Sequence, residues 1–596
     1  MNRPPLPSDN SHDGQNGAHI LTTNAALSEL TTGPTAMPTL LDRQTLRTVF
    51  ALGLAAIVIY LPLIGWGLPY ATTPTRIKTY AVDELLPLDA LAEMHNTFVV
   101  SKPDRNYGYP WGHYFALASV QAPYVAYLKL TGQMSGSAAA YPYGLQDPVA
   151  ALRALTLIGR LLAVAMGAGV VVLAYFLSTI MWDHRTGVLA ACLTMLSYPH
   201  VYYSRVGNPD VALVFWSALG LVAFALILKD GLTSRRAVWL GLAAGMAMGT
   251  KDQGLVVFLP LGIALLFPQL NAGADGRYQW KALAGGLVAA CASYLLATGM
   301  LVDPKRHLLH VYYLFAEQGS VTWMPIYHAA IPKTFDGILE MLRKTGAGLD
   351  AMISLPVLLA AVAGAALAFR TSPRYLVLLL PLPTLFLILT LPTGTVGYRY
   401  LYPLTFMVDA FAAAGLVWVG RKYSPAVMVA LCIIVLGSRA LVAADLSYAQ
   451  FHETRSLAGD WLRSHARPGD TVEFFGVEQY LPPLPAQIPA RRIAKRENWK
   501  QETAHGDYVL DYLRRQGPRF VYVTPDHSSQ PGMERSADCP PEVYRALLDG
   551  SAGYRLAAYF PTPALLPAPL HRPRLDYPAV SPPVRIFERI PPAAPR

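Results

Sequence analysis

Apolar runs long enough to cross a bilayer recur along the chain, near 48–68, 154–180, 187–204, 211–228, 237–250, 254–268, 282–301, 350–369, 375–391, 403–420 and 426–443. Polar connections separate them, and the pattern predicts a bundle of about eleven transmembrane helices. Tyr114 to Leu130 is also apolar enough to span, but it carries Gln121 and Pro123. The basic clusters decide how it lies. Asp183-His-Arg185, Lys229 to Arg236, Arg277 with Lys281, Arg370 with Arg374, and Arg421-Lys422 occupy alternate connections. Together with Arg43 and Arg47 they all face the cytoplasm if 114–130 lies along the outer interface, as the positive-inside bias requires. The first run is too long for a signal-peptide core and lacks a small-residue cleavage site, so it reads as a retained helix. Eleven spans from a cytoplasmic N-terminus leave the C-terminal part outside.

Four segments follow. Residues 1–42, rich in Ser, Thr, Asn, Gly and Pro, read as a disordered cytoplasmic tail. Residues 43–445 form the transmembrane domain, with long outward loops at about 69–153 and 302–349. Over 446–560 the pattern turns soluble: helices at 452–466 and 507–516 and strands at 471–475 and 519–524 predict a small extracytoplasmic α/β domain. Residues 561–596 read as an extended Pro-rich tail.

Composition agrees. Of 596 residues 53% are hydrophobic and only 14% charged, and the mean hydropathy is +0.31, against about a quarter charged in soluble domains. The net charge of +10 falls in short clusters between spans, which excludes a nucleic-acid partner. Cys192, Cys291 and Cys432 lie in apolar runs and only Cys539 lies outside, so no disulfide framework or zinc cluster is legible. Gly241, Gly245 and Gly249 have the small-residue spacing of helix packing and not of a phosphate loop.

Chemistry is expected at the outer face. The first outward loop carries Asp83-Glu84 and then Tyr107-Gly-Tyr-Pro-Trp-Gly-His-Tyr114. Adjacent side chains on a helix point about 100° apart and cannot share one proton, so the two carboxylates should have different tasks. One suits a general base; the other suits a metal, an acceptor or a helix end, and capping alongside Asp89 and Glu93 is the plain alternative. Asn208-Pro-Asp210, Lys251-Asp252 and Arg399 within Gly397-Tyr-Arg-Tyr-Leu-Tyr-Pro403 all fall at outward ends of spans. Charge at membrane depth is costly unless paired or hydrated, so these sites together predict one polar cavity in which an anion site faces a carboxylate site. His113, His307 and His310 have no metal-ligand spacing.

The ordered set of Asp83-Glu84, Tyr109-Pro110, Arg153 to Arg160, Asn208-Pro-Asp210, Gly249-Thr-Lys251 and Tyr398 to Pro403 resembles the GT-C glycosyltransferases. Within them it is most similar to the protein O-mannosyltransferase and lipid A aminoarabinose transferase group, often placed in family 39. The resemblance covers about residues 45–445. It implies a multi-pass protein of the plasma (inner) membrane that takes a sugar from a polyprenyl-phosphate donor and passes it, with inversion, to a protein, lipid or cell-surface glycan at the outer face. It further implies that Asp83, with Glu84 beside it, is the catalytic carboxylate, that Lys251 and Arg399 bind the donor phosphate, and that Asp210 organises the acceptor or a divalent cation. Tyr109 and His113 are the aromatic acceptor or metal contacts of that reading. The chain has Tyr-Pro-Trp-Gly-His where many relatives have a Lys-Pro-Pro type segment, and Lys102-Pro103 is the expected replacement for that lysine. A divalent metal is compatible with this chemistry but not demanded by it.

The competing reading is a transporter or flippase of lipid-linked sugars. Transporters tend to carry inverted repeats and midplane charges, whereas these charges gather at one face and the long outward loops break any repeat.

Overall fold

The structure is a computed structural model that describes residues 42–100, 108–271, 276–312, 331–493, 502–525, 538–567, 570–571 and 580–591. The chain divides into two compact units, Met1–Ala51 and Leu52–Arg596. In the first, the described residues begin the helix Arg43–Tyr60. All that follows concerns the second.

Among the described residues six helices are long and apolar enough to cross a membrane: Pro148–Met181, Pro209–Asp230, Trp280–Ala297, Pro373–Thr393, Tyr398–Lys422 and Pro425–His465. A seventh span arises if Phe335–Ile353 and Leu355–Thr371, bent by 100° at Ser354, are one element. The protein is thus a multi-pass helical membrane protein, with fewer full-length spans than the eleven apolar runs suggest. The physical reason is segmentation. The run near 187–204 breaks into His184–Met195 and Tyr198–Tyr203 ahead of Pro199, 237–250 lies in the 17-residue Ser234–Thr250, and 254–268 yields only Gly254–Ala264.

Small residues set the packing of the bundle. A Cβ on Gly241 would meet Gly286 O at 2.1 Å, and one on Gly245 would meet Ser293 Oγ at 1.9 Å. Helices Ser234–Thr250 and Trp280–Ala297 therefore touch along their backbones, as the glycine spacing predicts. Gly364 and Gly415 do the same for Leu355–Thr371 and Thr405–Lys422, where a Cβ would approach Phe411 O at 1.9 Å and Ala360 O at 2.1 Å.

The two ends of the bundle differ in chemistry. Asp183 and Arg421, both expected at the cytoplasmic end, pair at 2.6 Å. Asp230 pairs with Arg236 at 2.8 Å, at the far end of the helix that starts beside Asp210. Its 22 residues hold the two ends about 33 Å apart at 1.5 Å per residue.

The segment at 114–130 is one helix, Trp111–Leu130. Its first half is buried against the opposite end from Arg236: Gly112 packs on Gly249 O, Gly159 on Leu117, and Gln121 Nε2 donates to Leu155 O at 3.1 Å. Its last residues, Tyr127 and Leu130, are exposed. The helix is not among those long and apolar enough to cross a membrane.

Beyond the last span, five strands among the described residues make a mixed sheet in the order β2-β1-β3-β5-β4: β1 Val472–Phe474, β2 Ala490–Arg492, β3 Phe520–Val523, β4 Tyr554–Phe560 and β5 Val584–Arg589. β1 is parallel to β2 and β3, while β5 is antiparallel to both β3 and β4. The α/β character matches the sequence reading, but its boundary does not. β5 lies in the stretch expected to be an extended tail, and Val584, Ile586 and Phe587 are fully buried. The Pro residues before it set a boundary; the Val-Arg-Ile-Phe-Glu-Arg run after them has the alternation of a strand.

The soluble domain is fastened to the loop that follows the first apolar run. Arg455 lies 3.7 Å over the Tyr80 ring and grips Glu453 through two nitrogens at 2.8 and 3.0 Å, and Trp66 Nε1 donates to the same carboxylate at 2.7 Å. Arg76 Nη2 donates to Ile488 O at 3.2 Å, and Thr72 Oγ1 to Leu484 O at 3.2 Å. At the other edge Asp445, on the last span, accepts from the backbone N–H groups of Leu565 and Leu566 and from His571.

Candidate active site

The expected outward-end charges meet, although they come from four separate parts of the chain. Arg399 is the hub. Its Nη1 donates to Asp83 Oδ2, a contact 316 residues long in sequence, and its Nη2 lies 3.6 Å from Asp210 Oδ2. Lys251 Nζ donates to Asp210 Oδ1 at 2.7 Å and sits 5.9 Å from the centre of the Tyr109 ring. Helix ends explain the convergence. Asp210 is in the first turn of Pro209–Asp230, Lys251 caps the C-terminus of Ser234–Thr250, and Arg399 stands in the 3-10 turn Tyr398–Leu404 ahead of Thr405–Lys422. Asp210 is fully buried and its Oδ2 has no hydrogen bond among the described residues, so the carboxylate is only partly satisfied.

Asp83 and Glu84 are handled in opposite ways. Asp83 holds φ at +59°, a left-handed conformation that Asp and Asn tolerate better than most residues, and its side chain is 35% exposed. Strained backbone of this kind clusters at functional positions. Glu84 is buried and clamped: Arg160 Nε donates to Oε1 at 2.8 Å and Nη2 to Oε2 at 2.6 Å, while Gly207 N donates to Oε1 at 2.6 Å. Burial raises the Glu84 pKa, but the charge and hydrogen bonds of Arg160, with bonds from Thr79 and Gly207, outweigh it and leave the carboxyl below its ordinary value. With both oxygens bonded to a buried guanidinium, Glu84 fixes the loop next to Asp83.

Tyr109 lines the cavity beside Asp83, and its hydroxyl hydrogen-bonds Arg399. His113 does not reach the cavity. It is buried, its Nε2 donates to Gly207 O at 2.9 Å, and burial pulls its pKa down to about 4, so it is neutral and braces the Asn208-Pro-Asp210 turn from behind. Lys102 lies outside the described residues. Among the described residues no three His, Cys, Asp or Glu side chains are gathered to hold a metal ion.

Two ion pairs near the site were missed in the sequence. Arg160 sits inside a long apolar run, where it looked like a helix entry; it is in fact fully buried and also donates to Ile64 O and Trp66 O. Glu93, read as a helix cap, accepts from Arg306 Nε at 2.7 Å and Trp111 Nε1 at 2.9 Å, and Arg306 Nη2 donates to Tyr109 O at 2.9 Å. The available signal was a basic residue, Arg306, in a loop expected to face outward, which the positive-inside bias disfavours and which therefore calls for a partner.

A polytopic membrane protein with cations and carboxylates interleaved at one end of its bundle is the class that fold and site define. A family model described as dolichyl-phosphate-mannose-protein mannosyltransferase matches residues 154–297, a stretch that holds Arg160, Asp210 and Lys251. The chain thus resembles the GT-C glycosyltransferases in this part by sequence as well as in its ordered motifs. No curated protein matches it. Among solved structures, ArnT from Cupriavidus metallidurans bound to undecaprenyl phosphate is similar at 11% identity with a TM-score of 0.45, over 93% of this chain and 100% of that one. The Archaeoglobus fulgidus oligosaccharyltransferase in complex with Zn and sulfate is similar at 13% identity and a TM-score of 0.41, over 80% of this chain and 67% of that one. The S. cerevisiae protein O-mannosyltransferase Pmt1-Pmt2 complex bound to the sugar donor is similar at 17% identity and a TM-score of 0.29, over 49% of this chain and 35% of that one.

Proposed function

We propose that the protein is a glycosyltransferase of the plasma (inner) membrane that moves a sugar, with inversion, from a polyprenyl-phosphate donor to a protein, lipid or glycan acceptor at the outer face. The observation that carries this reading is the Asp83–Arg399–Asp210–Lys251 chain, in which a half-exposed carboxylate adjoins two cations at one end of the bundle. A phosphate leaving group needs charge stabilisation more than a proton, so one base and nearby cations suffice. The donor phosphate engages Arg399 and Lys251 and draws Arg399 away from Asp83. The acceptor oxygen then bonds to the anomeric carbon as the bond from that carbon to the phosphate oxygen breaks. The acceptor proton passes to Asp83, and polyprenyl phosphate departs with the electron pair. Glu84, held by Arg160, and His113, held by Gly207, keep the two sides in register. Should a divalent cation take part, Asp83 and Asp210, whose Oδ2 accepts no hydrogen bond among the described residues, are the carboxylates that would hold it, and it would supply Lewis-acid stabilisation.

The test is transfer by the purified protein in lipid nanodiscs from a panel of polyprenyl-phosphate-linked sugars, with translocation of the same lipids measured in parallel. Translocation without transfer would mark a transporter. Arg399→Ala and Lys251→Ala should each weaken donor use more than tenfold and acceptor use less, since a charge-assisted contact is worth about 1.5–3 kcal/mol. Donor kinetics equal to wild type in both variants would remove them from the phosphate site.

The same reading puts the soluble domain outside the cell membrane and the N-terminus in the cytoplasm, with further spans supplied by the shorter helices. A reporter fused after Arg596 should be active only when it requires the extracytoplasmic side. Activity restricted to a cytoplasmic reporter would reverse the topology.

A further inference from the structure

The helix Pro304–Tyr312 turns its polar side inward. Arg306, His307 and His310 are buried on it, whereas Leu308, Leu309 and Tyr312 are exposed. Arg306 and His310 stand four residues apart, so they project from one face, a turn apart. Each reaches one half of the site. Arg306 Nη2 donates to Tyr109 O at 2.9 Å and its Nε to Glu93 Oε1 at 2.7 Å. His310 Nε2 donates to Asp252 Oδ1 at 3.0 Å. The two contacts converge, because Asp252 follows Lys251 in the chain and Lys251 Nζ lies 5.9 Å from the centre of the Tyr109 ring. A polar face used only to anchor the helix has no reason to end on two neighbours within the site.

Lys251-Asp252 stands in the short turn between Ser234–Thr250 and Gly254–Ala264. Lys251 is extended there, with φ −157° and ψ 134°, so its side chain and that of Asp252 leave the backbone in opposite directions. One points to Asp210, which Lys251 Nζ meets at 2.7 Å, and the other to His310. Bonds from Gly254 N to Lys251 O at 2.9 Å and from Leu255 N to Asp252 O at 3.0 Å close the turn, and the His310 contact fixes how it is rotated. Lysine carries its charge on a flexible stem, so the setting of its backbone decides which anions it reaches. The Asp252 side chain is 37% exposed and could be satisfied by water, so burial alone does not require the contact.

We propose that His310 is a positioning residue for the donor side of the site: through Asp252 it sets the backbone of Lys251, and with it the aim of the ammonium at the donor phosphate. Arg306, one turn earlier, sets Tyr109 beside it. The inference rests on the transferase reading above. His310 exchanges no proton in the transfer and acts only through Asp252.

The test measures the Kd of undecaprenyl phosphate for the full chain in nanodiscs, with the uncharged polyprenol as control. Asp252→Ala and His310→Ala should each raise that Kd about three- to tenfold, the range of one ordinary hydrogen bond, and the double variant should be no worse than the weaker single one. His310→Gln, which keeps a donor near the place of Nε2, and Asp252→Asn, which keeps an acceptor, should bring the Kd back towards wild type. In a Lys251→Ala background, Asp252→Ala should leave the Kd where Lys251→Ala alone puts it, a result that a general loss of packing would not give. Asp252 is partly exposed, so its variants carry the test even where His310→Ala folds poorly. An Asp252→Ala variant that binds as wild type does, or one that weakens binding as much without Lys251 as with it, would overturn the proposal. So would a loss that neither His310→Gln nor Asp252→Asn relieves. Wild type that binds undecaprenyl phosphate no better than the polyprenol would overturn the transferase reading, and this inference with it.

Discussion

Replacing Asp83 by asparagine is expected to cut sugar transfer at least about a hundredfold, the lower end of what a positioned general base contributes. The substitution is close to isosteric, and asparagine tolerates the left-handed φ of +59° that a larger or β-branched residue would resist. The amide carbonyl still accepts a hydrogen bond from Arg399, so the loop should keep its place and the protein its yield and melting temperature. What disappears is the ability to take a proton. Donor affinity should hold or improve, since Arg399 no longer has a carboxylate to leave. Single-turnover transfer with saturating donor separates these effects. A rate near wild type would show that Asp83 only neutralises Arg399.

The site was legible because charge is scarce in this chain. In an apolar bundle every carboxylate or cation at the end of a span demands a partner, so Asp210, Lys251 and Arg399 could be assigned to one cavity with Asp83 despite long separations in sequence. Roles were less legible. Nothing in the Asp83-Glu84 dipeptide says which residue is buried; Arg160, some 76 positions later, decides it by capturing Glu84. His113 looked like a contact because it stands in the aromatic segment, yet the turn of Trp111–Leu130 on which it sits points it at Gly207.

In the soluble domain the early elements were readable. The strands expected at 471–475 and 519–524 appear as Val472–Phe474 and Phe520–Val523, and the helix at 452–466 as Thr454–His465. β5 was hidden by its Pro-rich flanks, and the three-residue β2 is too short to show a period. The apolar runs outnumber the full-length helices for a related reason. Hydropathy reports an apolar stretch but not whether Pro or a bend cuts the helix within it, as at Ser354, where φ is +78°.

Breaking the Glu84–Arg160 pair is expected to cost stability first and activity as a consequence. The two side chains are 2% and 0% exposed, and Arg160 also satisfies Ile64 O and Trp66 O. Arg160→Ala would leave a buried carboxylate with no counter-charge and two carbonyls with fewer donors, a loss of about 3–5 kcal/mol. Glu84→Gln should cost less, because the amide still accepts a hydrogen bond from Gly207, but it leaves the guanidinium buried without its anion. Combining Glu84→Gln with Arg160→Met should recover part of the loss, since removing both charges also removes the burden of desolvating them. The pH dependence has a definite sign. The folded-state pKa of Glu84 is lowered, so its contribution is present above the ordinary glutamate pKa and fades as the pH falls through the folded value. Glu84→Gln should accordingly weaken the protein at neutral pH and flatten its loss of stability in acid. Thermal unfolding of the four proteins in one detergent between neutral pH and pH 4 would measure both effects. An Arg160→Ala variant that melts within a degree of wild type would mean that water reaches this pair, and that something other than the clamp fixes the backbone of Asp83.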